Sequence, residues 1–158
     1  MVFSSIVFLL FFLPVFLAVY YLCPRKYQNY VVLTASIFFY AWGAPKFVFI
    51  LLGSVFVTFY LVRWMYLAKQ LKKKKIILFL SIAINLGFLI YFKYANFFVE
   101  NVNDLLQQLG LKTFYWVSVA LPIGISFYTF QTITYAIDVY RKVHKPLAKL
   151  SDYTLYII

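Results

Sequence analysis

Uncharged, mostly apolar stretches recur along the chain at Met1 to Pro24, Tyr27 to Pro45, Phe47 to Val62, Ile76 to Phe92 and Thr113 to Ile137, separated by short basic or polar breaks. Their lengths approach or reach the roughly 20 residues with which an α-helix crosses about 30 Å of hydrocarbon. The pattern predicts an all-α, polytopic transmembrane protein of about five spans. Phe8 to Tyr21 is apolar all round, whereas the helix of a soluble bundle would carry a polar stripe at i, i+3, i+4 and i+7. The strict polar/apolar alternation of a membrane β-barrel is absent from these stretches as well.

The spans are unequal. Tyr30 to Trp42 would rise only about 20 Å as a helix, and Gly43, Ala44 and Pro45 then end it, so it is expected to be a short tilted or re-entrant element. Between Asn101 and Lys112, Val102, Leu105, Leu106 and Leu109 share one helical face, with Asn103, Asp104, Gln107 and Gln108 mostly off it. This predicts a separate short helix lying on the outer surface, stopped by Gly110. Pro122 and Gly124 fall inside the last stretch, where a helix would kink and free carbonyls that protein or water must satisfy. Tyr153 to Ile158 begins another apolar segment.

Composition agrees with a lipid environment: 65% of the residues are hydrophobic, 23% aromatic and only 12% charged, too few charges to cover a wet surface. The net charge of +11 could point to nucleic acid, but its distribution argues otherwise. One set of alternate loops holds Arg25, Lys26, Arg63, Lys69, Lys72 to Lys75, Arg141, Lys142, Lys145 and Lys149, and the other holds Lys46, Lys93 and Lys112. Basic residues are retained on the cytoplasmic side of short loops, so the first set is expected in the cytoplasm and the N-terminus outside. Topology and anionic headgroups suffice to explain the lysine run, and no nucleic-acid partner is expected. Trp42, Trp64 and Trp116 fall near span ends, as interfacial anchors do. The first span lacks the basic start of a cleaved signal peptide. The single Cys23 cannot form an internal disulfide and reads as an ordinary residue at a helix end.

Candidate chemistry concentrates after Pro122. At 100° per residue, Gly124, Tyr128, Gln131, Tyr135 and Asp138 fall within about a quarter of the helix circumference, with Ile133, Ala136 and Ile137 elsewhere. Facing lipid, such a line would be expensive, so it should face other helices or a hydrated cavity. It either bonds neighbouring helices or lines a substrate path, with Asp138 and Arg141 near its cytoplasmic mouth. Those two, at i and i+3, could also form a local ion pair. Nothing has metal-ligand spacing, a Gly-rich phosphate loop or a paired-carboxylate arrangement, so no metal is expected. His144 lies between basic residues of a loop and reads as solvated.

LPIGISFYTFQTITYAIDVYR, from Leu121 to Arg141, resembles a signature stretch of the bacterial membrane-bound O-acyltransferases, in particular the branch that O-acetylates alginate and peptidoglycan. MVFSSIVFLLFFLPVFLAVYYL at the start, FFYAWGAPKF within Asn29 to Phe47, and YFKYANFF from Tyr91 to Phe98 resemble the same branch in the same order. The resemblance implies a ring of helices around a buried site, with residues 1–158 the N-terminal portion of a longer transmembrane domain. It implies O-acyl transfer from a cytoplasmic donor, acetyl-CoA or another acyl thioester, toward an extracytoplasmic polysaccharide, with a secreted or membrane-tethered acyltransferase as partner. The family's catalytic histidine is expected beyond Ile158, and His144 does not match it. No catalytic residue is therefore assigned here, and this segment alone is expected to be inactive. The competing reading is a small membrane scaffold or partner subunit without catalysis; an ion channel is disfavoured by the lack of a filter motif or acidic ring.

Overall fold

A computed structural model describes residues 6–158 as six helices, with no strand among them. α1 (Phe8–Leu22) and α2 (Gln28–Gly43) form an antiparallel hairpin in which the Phe39 ring of α2 lies 4.9 Å from Phe8 and 5.3 Å from Phe12 of α1. The first turns of α1, Phe8–Phe12, are π-helical. α3 (Val48–Leu67), α4 (Leu71–Gln108), α5 (Ile125–Tyr140) and α6 (Leu150–Ile157) complete the chain. α3 is the hub: it packs against α2, α4, α5 and α6, and buries Leu51, Val55, Val62 and Met65 almost completely. Among the described residues, α1 has no buried side chain and packs on α2 alone, which suits the helix read as apolar all round.

Two of these helices, α3 and α4, are long and apolar enough to cross a membrane, and α1 is a shorter apolar helix. The chain is a membrane protein. α2 ends at Gly43 with Ala44 as its cap, where the Gly-Ala-Pro break predicts. Cys23 caps α1, as expected for a residue at a helix end, and is a free thiol.

Two expectations are corrected. The separate surface helix over Asn101 to Lys112 does not exist; those residues continue α4, whose 38 residues rise about 57 Å. No breaker stands between Phe92 and Asn101, and Val102, Asn103 and Leu106 are half-buried along a helix that continues without interruption. Gly110 does stop the helix. It adopts φ 70°, its N–H reaches Gln107 O at 3.1 Å, and Leu111 N–H reaches Leu106 O at 2.9 Å, the paired bonds of a left-handed C-terminal cap.

Thr113 to Ile137, in turn, is not one span with a kink. Residues 111–122 are non-helical, and α5 begins only after Gly124, which sits at φ 76°. The residue before a proline is biased out of the α region, and with Leu121 before Pro122 the chain stays non-helical until the left-handed Gly124 opens α5. The Pro122 carbonyl accepts Ile125 N–H at 3.3 Å in the entry turn; it is not an orphan inside a helix.

Both ends of the bundle are defined by contacts. At one, Arg63 Nη1 donates to Ala148 O at 3.4 Å, joining the last turns of α3 to the α5–α6 connection. At the other, the Phe47 and Phe92 rings meet at 6.1 Å and Tyr40 Oη donates to Ile123 O at 3.1 Å. The basic turns around residues 63–75 and 141–149 therefore share an end, the grouping that the loop charges require. The N-terminus itself lies outside the described residues.

α5 closes with the same cap as α4, but on a lysine. Lys142 adopts φ 63°, with Lys142 N–H bonded to Val139 O at 3.1 Å and Val143 N–H to Asp138 O at 3.0 Å. A side chain in the left-handed region costs about 1–2 kcal/mol that glycine avoids. Lys142→Gly is expected to stabilise the protein by about 1 kcal/mol after glycine's greater unfolded-state entropy is counted. A raised thermal midpoint in detergent micelles is the measurement that checks it.

Candidate functional site

The polar face of α5 is divided among three surroundings. Tyr128, at its start, is buried and lines an apolar cavity of about 650 Å³ bounded also by Phe12, Phe39, Tyr40, Gly124 and Ile157. This cavity lies between the α1–α2 hairpin and the start of α5, beside the place where α2 packs on α6. In the middle of α5, Gln131 is half-buried and donates through Nε2 to the Tyr156 carbonyl of α6, while its Oε1 is buried with no partner among the described residues.

Tyr135 is the joint between α5 and the chain that follows. Its hydroxyl accepts Leu147 N–H at 2.8 Å, and its ring lies 4.8 Å from Tyr153, 5.7 Å from Tyr156 and 5.2 Å from His144. At the last turn Asp138 is half-buried and Arg141 exposed. They form no ion pair with each other, because Arg141 is already the cap from which the chain turns away.

His144 is exposed, as expected of a loop residue, although one face of its ring is covered by Tyr135. It lines a second cavity of about 650 Å³ together with Lys74, Lys142 and Lys145, at the end of the bundle that holds the basic turns. The structure thus brings Gln131 and Tyr135 together under α6, and leaves Tyr128 on the apolar cavity and Asp138 with Arg141 near the basic one.

Three asparagines of α4 escape a reading based on α5. Asn85 Nδ2 donates to Thr58 Oγ1 of α3 at 2.9 Å and to Ser81 O at 2.8 Å, in a wholly buried polar contact between the two longest helices. Asn96 Oδ1 accepts Val119 N–H at 2.8 Å and the Trp116 indole N–H at 3.0 Å, and Asn96 Nδ2 donates to Val119 O at 2.7 Å. Asn103 repeats the exchange with Phe114, accepting its N–H at 2.8 Å and donating to its carbonyl at 3.0 Å.

Each of the latter two amides satisfies both backbone groups of one residue in the non-helical segment, as a neighbouring strand would. Irregular backbone at membrane depth requires such partners. The signal was present in the sequence: spacings of 11 and 7 residues bring Asn85, Asn96 and Asn103 to within about 20° of one another at 100° per residue. Polar amides on one face of an apolar helix mark a protein-facing side.

No protein-family profile matches the chain, and no solved structure matches it at a significant level. Curated relatives do. A probable alginate O-acetylase of Pseudomonas aeruginosa is 40% identical over 158 residues, covering 99% of this chain and 30% of that protein. The probable alginate O-acetylase of Azotobacter vinelandii is 39% identical over 158 residues, 99% of this chain and 32% of its own length. A peptidoglycan O-acetyltransferase of Helicobacter pylori is 29% identical over 147 residues, 90% of this chain and 27% of that protein. The chain spans about a third of the length of the relatives it matches. Over nearly all its residues, the chain is a homologue of the alginate O-acetylases, with a peptidoglycan O-acetyltransferase among its more distant relatives.

Proposed function

We propose that the chain is the N-terminal part of a membrane O-acyltransferase that moves an acetyl group from a cytoplasmic thioester, acetyl-CoA or a related donor, toward an extracytoplasmic polysaccharide. The observation that carries this reading is 40% identity along 99% of the chain to an alginate O-acetylase. In this reading the protein crosses the bacterial inner membrane several times with its N-terminus outside, as the basic loops require. A secreted or membrane-tethered acyltransferase takes over the acyl group on the far side.

Within it, Tyr128, Gln131, Tyr135, Asp138 and Arg141 lie along the transfer path in the three successive surroundings described above, from the apolar cavity to the basic end. Gln131 supports the assignment best, because its buried Oε1 has no partner among the described residues, and an unsatisfied acceptor in low dielectric is costly unless a ligand or water uses it. The catalytic base is supplied by sequence outside residues 1–158.

The test is a chimera in which this chain replaces the matching third of the Pseudomonas aeruginosa relative, in a strain deleted for that gene. O-acetyl ester on the exported polysaccharide is expected from the chimera and not from residues 1–158 expressed alone. Gln131→Leu in the chimera is expected to lower acetylation about 10- to 100-fold through misplacement of the transferred group. Acetylation by residues 1–158 alone, or a membrane-inserted chimera without activity, would sink the proposal.

A further inference from the structure

The geometry points to a phosphate-binding pocket at the basic end of the bundle, built from Lys74, Lys142, His144 and Lys145 with the rings of Tyr66 and Tyr140. Three separate pieces of chain converge there: the end of α3, the first turn of α4 and the α5–α6 connection. Among the described residues, no acidic side chain lines the cavity of about 650 Å³. Lys74 is half-buried and Lys142 and Lys145 are exposed, so the three line one space at the surface whose positive potential attracts an anion, and lysine binds phosphate as a compact point charge.

Two observations separate this pocket from a topology signal spread over a surface. Of Lys69, Lys72, Lys73, Lys74 and Lys75, only Lys74 is half-buried, and it is the one that lines the cavity. A retention signal needs no particular lysine turned inward. Lys142, for its part, occupies a left-handed position, at φ 63°, in a cap where glycine would be unstrained. Strain held at a position that a smaller residue would relieve directs attention to what the side chain does, and this side chain lines the same cavity.

The ligand class is a phosphomonoester or diphosphate. It can arrive on an anionic lipid headgroup at the bilayer surface or on a soluble donor; only the second source rests on the acyltransferase reading. Tyr66 and Tyr140 offer hydroxyl donors, and the lysines offer charge-assisted bonds, which are stronger than neutral ones.

The experiment uses the whole chain in phosphatidylcholine nanodiscs. Binding of inorganic pyrophosphate and of coenzyme A is titrated calorimetrically, and a parallel set of nanodiscs carries phosphatidic acid at increasing fractions, read as a shift in thermal midpoint. Lys74→Ala and Lys142→Gly are expected to weaken binding about tenfold each, the loss of one charge-assisted bond, whereas Lys73→Ala changes it less than about twofold. Lys142→Gly should do so while raising the thermal midpoint, so weaker binding cannot be put down to misfolding.

Binding of pyrophosphate or coenzyme A with this dependence assigns a soluble phosphate; dependence confined to phosphatidic acid assigns a headgroup. Either outcome upholds the pocket. No saturable binding of any probe, or an equal effect of Lys73→Ala and Lys74→Ala, overturns it. If binding is lost in Lys74→Ala while the chimera still acetylates at full rate, the pocket stands and the donor binds elsewhere.

Discussion

Asn96→Ala is expected to speed tryptic cleavage after Lys112 by about 30- to 150-fold, because it frees the non-helical segment that this one amide holds to α4. Three bonds disappear together: two to the backbone of Val119 and one from the Trp116 indole. A buried polar group left unsatisfied costs about 1–3 kcal/mol. Val119 and Asn96 are only part-buried, so water rescues some of the loss, and about 2–3 kcal/mol in total is the expected penalty, with 1.4 kcal/mol per tenfold. Cleavage of a transiently opened segment follows the open population when opening and closing are fast. Asn103→Ala removes two bonds at a more exposed place and should give about a tenfold increase. Asn101→Ala is the control, since that amide bonds only to Phe97 O within its own helix. If all three variants are cut at the parental rate, the two amides do not hold the segment.

How far these features could be read from the sequence depends on the range of the interaction behind each. The ends of α1, α2 and α4 follow from local chemistry: the polar break after Cys23, the Gly43-Ala44-Pro45 stop and the left-handed Gly110. The uncharged run from Thr113 to Ile137 misleads because hydropathy records transfer into lipid and not backbone geometry. Its extended part is made possible by amides 11 and 23 residues away, which no local window contains. The α5 stripe is legible only in part from its period: Tyr128 and Tyr135 are buried, but so are Thr129, Thr132 and Ala136, so the buried face centres roughly 80° round from the stripe and leaves Gln131 and Asp138 at its half-buried edge. What covers it is not legible, because α6 is an 8-residue helix whose residues read only as the start of another apolar segment. The basic end shows both limits: the lysine run marks a loop from sequence alone, while the inward turn of Lys74 and the left-handed Lys142 require the packing of three elements.

α6 is also where the second large effect is expected. A helix of 8 residues has too few bonds to offset its own nucleation, so its place over α5 depends on side chains. Tyr153 is the largest of them: fully buried, with its ring 5.7 Å from Phe59 and 4.8 Å from Tyr135. Tyr153→Ala is expected to cost about 2–3 kcal/mol, below the usual 3–5 for a buried aromatic, because lipid removes much of the transfer contribution and leaves mainly lost packing. Tyr153→Phe separates ring from hydroxyl. The hydroxyl is buried beside the Thr132 hydroxyl, which already donates to Tyr128 O, and makes no hydrogen bond of good geometry, so deleting it removes a poorly met desolvation cost and should leave stability unchanged or raise it by up to about 1 kcal/mol. Thermal midpoints in micelles and hydrogen exchange across residues 150–157 measure both. A Phe variant as damaged as the Ala variant would mean that the hydroxyl anchors α6 and that the packing account of this helix is wrong. The expected order, Phe at or above the parent and Ala far below it, would leave aromatic contact as what holds α6 against the polar face of α5, with the Gln131 amide bonded to the Tyr156 carbonyl setting its register.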